Sequence, residues 1–166
     1  MVDFSMYYPA TKIGDRVASP PADADQPGIL STTTPEDIFP GYAVARQAGS
    51  LPFYKPFIEL VSDGVTPLGI MPREYTQHGA SAALLGVTDG AAQGGVALEI
   101  YTRGLVRVDI ADDVAEGDDV YVYISGANQG RFTNVNEPTT NQWPGSPTFL
   151  STATAVSGDG AIVEIG

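Results

Sequence analysis

VALEIYTRGLVRVDI, residues 96–110, is the stretch that decides the fold class of this chain. Six of its aliphatic side chains occupy even positions, whereas all of its charged side chains occupy odd positions. Successive side chains of a strand point to opposite faces, so this alternation predicts a half-buried β-strand. The stretch is much longer than the common strand of about 5–6 residues. Gly104 is therefore predicted to mark a bend at the corner of a barrel or sandwich.

The composition also favours strands. The chain has 166 residues, of which 43% are hydrophobic, and it contains 19 Gly and 13 Pro. This length is typical of one compact domain, since single domains commonly run to about 100–200 residues. So many glycines and prolines favour short strands joined by turns. We therefore predict an all-β fold, a small β-barrel or sandwich.

Short apolar or alternating segments separated by turn residues define the predicted strands. They are residues 42–46, 57–61, 68–71, 83–87, 96–110, 120–124, 131–133, 149–156 and 161–165. The turn at residues 157–160, SGDG, is predicted to close a terminal hairpin between the last two of these strands. Residues 134–147 are polar and are predicted to form a long exposed loop.

Residues 1–37 have a different character from the rest of the chain, since they hold five prolines among small and polar residues. Proline donates no backbone hydrogen bond and keeps its predecessor extended. We predict an extended Pro-rich N-terminal arm over residues 1–37 and a β-barrel domain over residues 38–166. The cluster Phe4, Tyr7, Tyr8 and Pro9 is predicted either to fold back on its own core or to dock on a partner subunit.

The net charge of −12 arises from 20 acidic and 8 basic residues. Nucleic-acid binding depends on Lys and Arg that neutralise phosphates, so we expect no nucleic-acid partner, and an anionic membrane surface is disfavoured for the same reason. The sequence has no run of about 20 apolar residues and no basic, apolar leader of the secretory type. The absence of cysteine excludes disulfides and a thiolate nucleophile.

Residues that could support catalysis or metal binding are few. His78 is the single histidine, and no G-x-S-x-G elbow, P-loop or dinucleotide fingerprint occurs. The carboxylates of residues 109–119 do not follow a calcium-loop spacing and are predicted to form a solvated turn. We therefore predict a protein that is not an enzyme and that holds no metal or cofactor.

The segment around residues 114–124 predicts an outward aromatic face. Gly117 can take the positive φ of a tight turn, and the aliphatic residues of the strand 120–124 would then face inward. Tyr121 and Tyr123 would face outward, where they suit a protein interface or are partly covered by the loop 134–147. Trp143 is predicted to be either an anchor on a partner or a lid over its own barrel end.

Four stretches of the chain resemble one family. They are YTRGLVRVDIADDVAEGDDVYVYISGANQGRFTN (101–134), TFLSTATAVSGDGAIVEIG (148–166), IFPGYAVAR (38–46) and PLGIMPREYTQHG (67–79). They are similar to stretches of the structural cement, or capsid decoration, proteins of tailed bacteriophages, including a V-x-x-G-D-x-V-Y-V step and a G-x-F-T element. The resemblance covers about residues 38–166, and residues 1–37 match only as an extended leader.

The resemblance implies a virion protein that is made in the bacterial host cytoplasm and binds the outer surface of the head. It would span neighbouring major capsid protein subunits, commonly as a homotrimer, and stabilise the shell. The residues expected to contact the capsid are Phe4, Tyr7, Tyr8, Pro9, Tyr121, Tyr123 and Trp143. A β-sandwich carbohydrate-binding module, with exposed aromatics stacking on sugars, is the alternative, and a hydrolase using two carboxylates is a third possibility.

Overall fold

The structure is a computed structural model that describes residues 12–17, 25–30, 38–47, 57–73 and 97–166. Strands dominate these ranges, which confirms the predicted all-β fold. The strands are β1 (Asp25–Leu30), β2 (Ala43–Arg46), β3 (Phe57–Leu60), β4 (Pro67–Ile70), β5 (Ala97–Tyr101), β6 (Gly104–Val108), β7 (Tyr121–Tyr123), β8 (Phe132–Thr133), β9 (Thr140–Gln142) and β10 (Ala161–Ile165). The predicted strand at residues 83–87 lies outside the described residues.

A closed barrel and two smaller sheets make up the architecture. The barrel has the strand order β1-β3-β2-β4-β5 and closes because β1 pairs with β5. The β1–β3 pairing is parallel, whereas the other barrel pairings are antiparallel. The smaller sheets have the orders β10-β6 and β8-β7-β9. No helix in the described ranges has the length and hydrophobicity to cross a bilayer.

The bend predicted at Gly104 is confirmed. β5 ends at Tyr101 in the barrel, and β6 begins at Gly104, which has a φ of 109°, and pairs with β10 in another sheet. The alternation survives the bend, because Ile100 and Val106 are both fully buried. Tyr101 is also buried although it lies at an odd position, and the guanidinium of Arg16 lies 4.0 Å from the centre of its ring.

Two segments of the predicted arm pair with the folded strands. Residues 14–17 run antiparallel to β6, and the amide of Val17 donates to the carbonyl of Leu105 at 2.9 Å. β1 pairs along most of its length with β5, and an ion pair joins Arg16 to Asp25. The division at residue 37 stays a prediction, but residues 14–17 and 25–30 are built into the sheets.

The predicted terminal hairpin is wrong. Residues 149–156 form only isolated bridges, at Phe149 with Val163 and at Ala153 with Val114, and Ala155–Ser157 is a short 3₁₀ helix. β10 instead pairs over its whole length with β6. The amide of Leu150 still donates to the carbonyl of Ile162 at 2.8 Å, but beyond it the chain leaves β10, and Ala153 exchanges hydrogen bonds of 3.0 and 2.9 Å with Val114.

The predicted loop at residues 134–147 contains a strand. β9 pairs antiparallel with β7, opposite β8. The hydroxyl of Thr140 donates to the carbonyls of Val135 and Glu137 at 2.9 and 3.1 Å, and these bonds turn the polar chain back toward the sheet. The loop prediction missed this strand because its residues, Thr140–Gln142, are polar and show no apolar alternation.

Candidate functional site

The face of β7 has the orientation that the sequence predicts. Val122 on this strand is 1% exposed, whereas Tyr121 and Tyr123 are partly exposed on the opposite face. Gly117, at the turn before the strand, has a φ of 94°. The two tyrosines are therefore displayed side by side on a strand whose other face is anchored in the core.

Tyr123 is held in a hydrogen-bonded network. Its hydroxyl donates to Asp112 Oδ2 at 2.9 Å, and the hydroxyl of the fully buried Thr133 donates to the same oxygen at 2.8 Å. Burial, followed by the hydrogen bond to Asp112, raises the pKa of Tyr123 above its usual 10.0. Asp112 thus fixes one of the two candidate contact tyrosines, whereas Tyr121 lies between Thr133 and Gln142 on the same sheet.

Substitution of Asp112 by alanine is expected to lower the free energy of unfolding by about 2 kcal/mol. The buried hydroxyl of Thr133 then loses the carboxylate that accepts its hydrogen bond. Chemical denaturation followed by circular dichroism measures this change. The pKa of Tyr123 is expected to fall toward 10.0 at the same time, which an absorbance titration compared with that of Tyr123→Phe detects.

Asp119→Ala is the matched control for Asp112→Ala. Asp119 belongs to the same acidic segment, and its side chain is exposed. The control removes one negative charge without removing an acceptor from Thr133, so its effect on stability is expected to stay within about 0.5 kcal/mol. Equal losses in the two variants would show that charge, and not the hydrogen-bonded network, determines the effect.

Trp143 covers the protein's own core. It is 5% exposed, and its ring lies 5.2 Å from that of Phe132, at an interplanar angle of 36°. Its amide donates to the carbonyl of Val120 at 2.9 Å, which continues the β7–β9 pairing. Of the two interpretations of Trp143, the burial supports the lid over the barrel end.

An aromatic ridge at Phe39 and Tyr42 was missed by the sequence analysis. The two ring centroids are 5.6 Å apart, and both residues line two neighbouring grooves of about 380 and 250 Å³. The signal for this ridge is the sequence IFPGY, in which two aromatics flank a Pro-Gly turn just before β2. The other residues lining the grooves are Ile13, Pro40, Arg73, Asp109 and Arg131 in the first and Leu60, Gly126, Ala127 and Gln129 in the second.

The charged residues of the larger groove form an ordered pair. Arg131 Nε donates to Asp109 Oδ1 at 2.8 Å, and Nη2 donates to the carbonyl of Ile110 at 2.6 Å. Burial raises the pKa of Asp109, although Arg131 acts in the opposite direction. Since protonation is easier in the folded state, the contribution of Asp109 to stability is greatest below its usual pKa of 3.8 and decreases as the pH rises through the raised value.

Other carboxylates of the acidic segment hold loops in place. Asp118 Oδ2 accepts hydrogen bonds from the amide of Ala115 at 2.9 Å and from the side chain of Asn134 at 2.6 Å, and these bonds lower its pKa. Asp113 Oδ1 accepts from the amide of Ala155 at 2.9 Å. Within the ranges that the structure describes, no group of three or more potential ligand residues is arranged to hold a metal ion.

The expected contact residues of the N-terminal arm, Phe4, Tyr7, Tyr8 and Pro9, lie outside the described residues, as does His78. Their roles therefore stay predictions. The described part of the candidate surface consists of the β7 tyrosines, the Phe39–Tyr42 ridge and the acidic loops beside them.

These features define a β-structured scaffold whose ordered polar side chains mainly hold its loops. The family model described as structural cement protein (E217 gp24/Pam3 gp6) matches residues 2–166. The chain therefore belongs to the structural cement protein family. Membership implies a capsid-associated, non-enzymatic structural role in the phage virion.

Comparison with solved structures shows the same fold in a phage capsid. A chain in the structure titled "The capsid of Myoviridae Phage XM1" matches with a TM-score of 0.62 at 17% sequence identity. The match covers 94% of this chain and 90% of that chain. No curated protein matches the sequence.

Proposed function

We propose that this protein binds the outer surface of the phage head across neighbouring major capsid protein subunits and stabilises the shell as a homotrimer. The observation that carries the proposal is the match of the cement family over residues 2–166, nearly the whole chain. Binding to the assembled shell alone stabilises that state by mass action. A trimer would bind several equivalent sites on the shell at once, so contacts that are weak individually can give stable binding.

The charge of the chain supports placement on the outside of the head. Its net charge is −12, and the inside of a filled head holds DNA, whose phosphates repel an acidic protein. The outer face of the shell carries no such penalty. Acidic exposed residues would instead pair with basic groups on the capsid surface.

Two groups of residues are proposed to make the contacts. Phe4, Tyr7, Tyr8 and Pro9 of the arm form the first group, because aromatic side chains bury large areas at interfaces. Tyr121 and Tyr123 form the second group, since β7 presents them on its partly exposed face. Trp143 packs on Phe132 in the core and so stabilises the sheet that presents the two tyrosines.

Addition of the purified protein to heads that lack it is expected to give co-sedimentation and a higher temperature of head disruption. Deletion of residues 1–11 is expected to abolish co-sedimentation and to leave the circular dichroism spectrum unchanged. The deletion stops at residue 11 because residues 14–17 pair with β6 and β1 begins at Asp25. A longer deletion would remove paired segments together with the arm.

Deletion of residues 1–3 is the control, because it shortens the arm and keeps all four proposed arm contacts. Undiminished binding by the 1–11 deletion would refute the role of the arm. Failure of the intact protein to bind heads would refute the proposed function itself. Light scattering after size exclusion tests the trimer, and a monomer with measurable glycan affinity would favour a carbohydrate-binding module instead.

A further inference from the structure

Val156 is displayed at the tip of a surface turn. It lies in the 3₁₀ helix Ala155–Ser157 and is 97% exposed. Among the described residues, the other exposed large hydrophobic is Val135, at 37%. Isolated exposed valines are common on protein surfaces, so exposure alone does not indicate a binding site. The structure of the turn that presents Val156 is the second observation.

The turn that carries Val156 is held by hydrogen bonds on both sides. The amide of Ala155 donates to Asp113 Oδ1 at 2.9 Å, and Ala153 is paired with Val114. The hydroxyl of Ser157 donates to the carbonyl of Thr154 at 2.9 Å. A turn ordered in this way loses little conformational entropy when its apolar tip is buried by a partner.

Acidic residues lie on the segments joined to the turn that carries the exposed valine. Asp113, Glu116 and Asp159 are exposed, and each lies on a segment hydrogen-bonded to or continuous with the turn. A basic group, Arg107, adjoins the end of the turn, where it is half-buried and donates to the carbonyls of Asp159 and Gly160 at 3.3 and 3.2 Å. The tip is therefore an apolar knob on segments that carry these three carboxylates, here called the acidic rim.

We propose that Val156 is an anchor residue that inserts into an apolar pocket rimmed by Lys or Arg side chains on the capsid partner. This inference rests on the proposed function, since it names the chemistry of the partner surface. A second copy of the chain is disfavoured as the occupant, because its net charge of −12 makes it a poorer match for an acidic rim. A basic rim supplies the complementary charge.

Val156→Ser is expected to weaken binding to heads that lack the protein by about tenfold or more, the affinity equivalent of burying one valine side chain. The protein should stay folded, because this side chain packs against almost nothing in its own chain. Val135→Ser is the matched control and is expected to bind as the wild type does. Val156→Ile keeps the apolar tip and is expected to retain binding.

Glu116→Gln tests the acidic rim. It removes one rim charge while the amide of Glu116 keeps its bond to Thr152, and it is expected to reduce the salt dependence of binding. If the wild-type and Val156→Ser proteins bind heads equally well, Val156 is not an anchor residue, and the proposed function stays intact. Wild-type protein that does not bind refutes the proposed function. A shift in oligomeric state caused by Val156→Ser without heads would identify a second copy as the occupant and overturn the inference.

Discussion

Trp143→Ala is expected to destabilise the folded protein by about 3–5 kcal/mol, the range typical of large aromatic truncations in a core. The indole is 5% exposed and packs on Phe132, so its removal leaves a cavity between β9 and the core. Alanine can keep the backbone hydrogen bond to Val120, so the expected loss comes from the missing indole. Guanidinium denaturation followed by circular dichroism measures the change, since the variant has no tryptophan to report fluorescence.

Pro144→Ala is the control for this experiment, because Pro144 is adjacent in sequence and exposed. It is expected to lower stability by no more than about 1 kcal/mol, because loss of the proline only gives the unfolded chain more freedom. A Trp143→Ala variant with wild-type stability but impaired head binding would reverse the assignment and make Trp143 a partner anchor. A variant that is destabilised and, where still folded, binds heads would support its role as a lid.

Gly160→Ala is expected to cost about 2–5 kcal/mol through two effects that add. Gly160 has a φ of 68°, and a side chain in this left-handed region costs about 1–2 kcal/mol. An added Cβ would also clash with the backbone carbonyl of Val108 and lie 2.7 Å from Cγ1 of Ile13. Because a strand carbonyl cannot move aside cheaply, overpacking adds about 1–3 kcal/mol.

Gly158→Ala isolates the backbone part of this effect, so the difference between the two variants gives the steric part. Gly158 lies in the same turn and has the same φ of 68°, but an added Cβ would meet nothing within 4 Å. Its expected cost is therefore only the backbone part, about 1–2 kcal/mol. Thermal unfolding of both variants gives the comparison. Equal losses would mean that the contact of Gly160 with β6 does not restrict the site.

The local alternation of side chains was predictable where it is strong. Residues 96–110 and 120–124 alternate clearly, and the structure places Ile100, Val106 and Val122 inside while it leaves Tyr121 and Tyr123 partly exposed. Period-two patterns identify the buried face because adjacent side chains must point in opposite directions. They do not identify the neighbouring strand.

Segments without a clear alternation gave the errors. Residues 149–156 are rich in small and β-branched residues and suggested a strand, but the chain follows β10 only as far as Leu150, and Ala153 then bonds to Val114. Thr140–Gln142 are polar and suggested a loop. They form β9 instead, because the hydroxyl of Thr140 donates to the carbonyl of Val135 and turns the chain back toward the sheet. Both conformations depend on hydrogen bonds with other segments or within a turn. The β-propensity of the residues themselves does not predict such bonds.

The candidate surface was predictable only in part. The outward face of the β7 tyrosines followed from alternation, whereas the Phe39–Tyr42 ridge required its two grooves to be seen in three dimensions. Val156 was predicted to enter a hairpin strand and instead lies exposed at the tip of a 3₁₀ turn. Its exposure depends on Asp113, more than 40 residues earlier, which holds the turn.

From its sequence alone this protein was determined to be an all-β, acidic chain with a Gly104 bend and an outward tyrosine pair. Those properties follow from the order of neighbouring side chains, which acts over one or two residues. Tertiary structure decided that β6 pairs with β10 and with residues 14–17, that β1 closes the barrel, and that Trp143 is buried. These pairings join residues far apart in the chain, and their register depends on mutual packing and hydrogen bonding that no local pattern specifies.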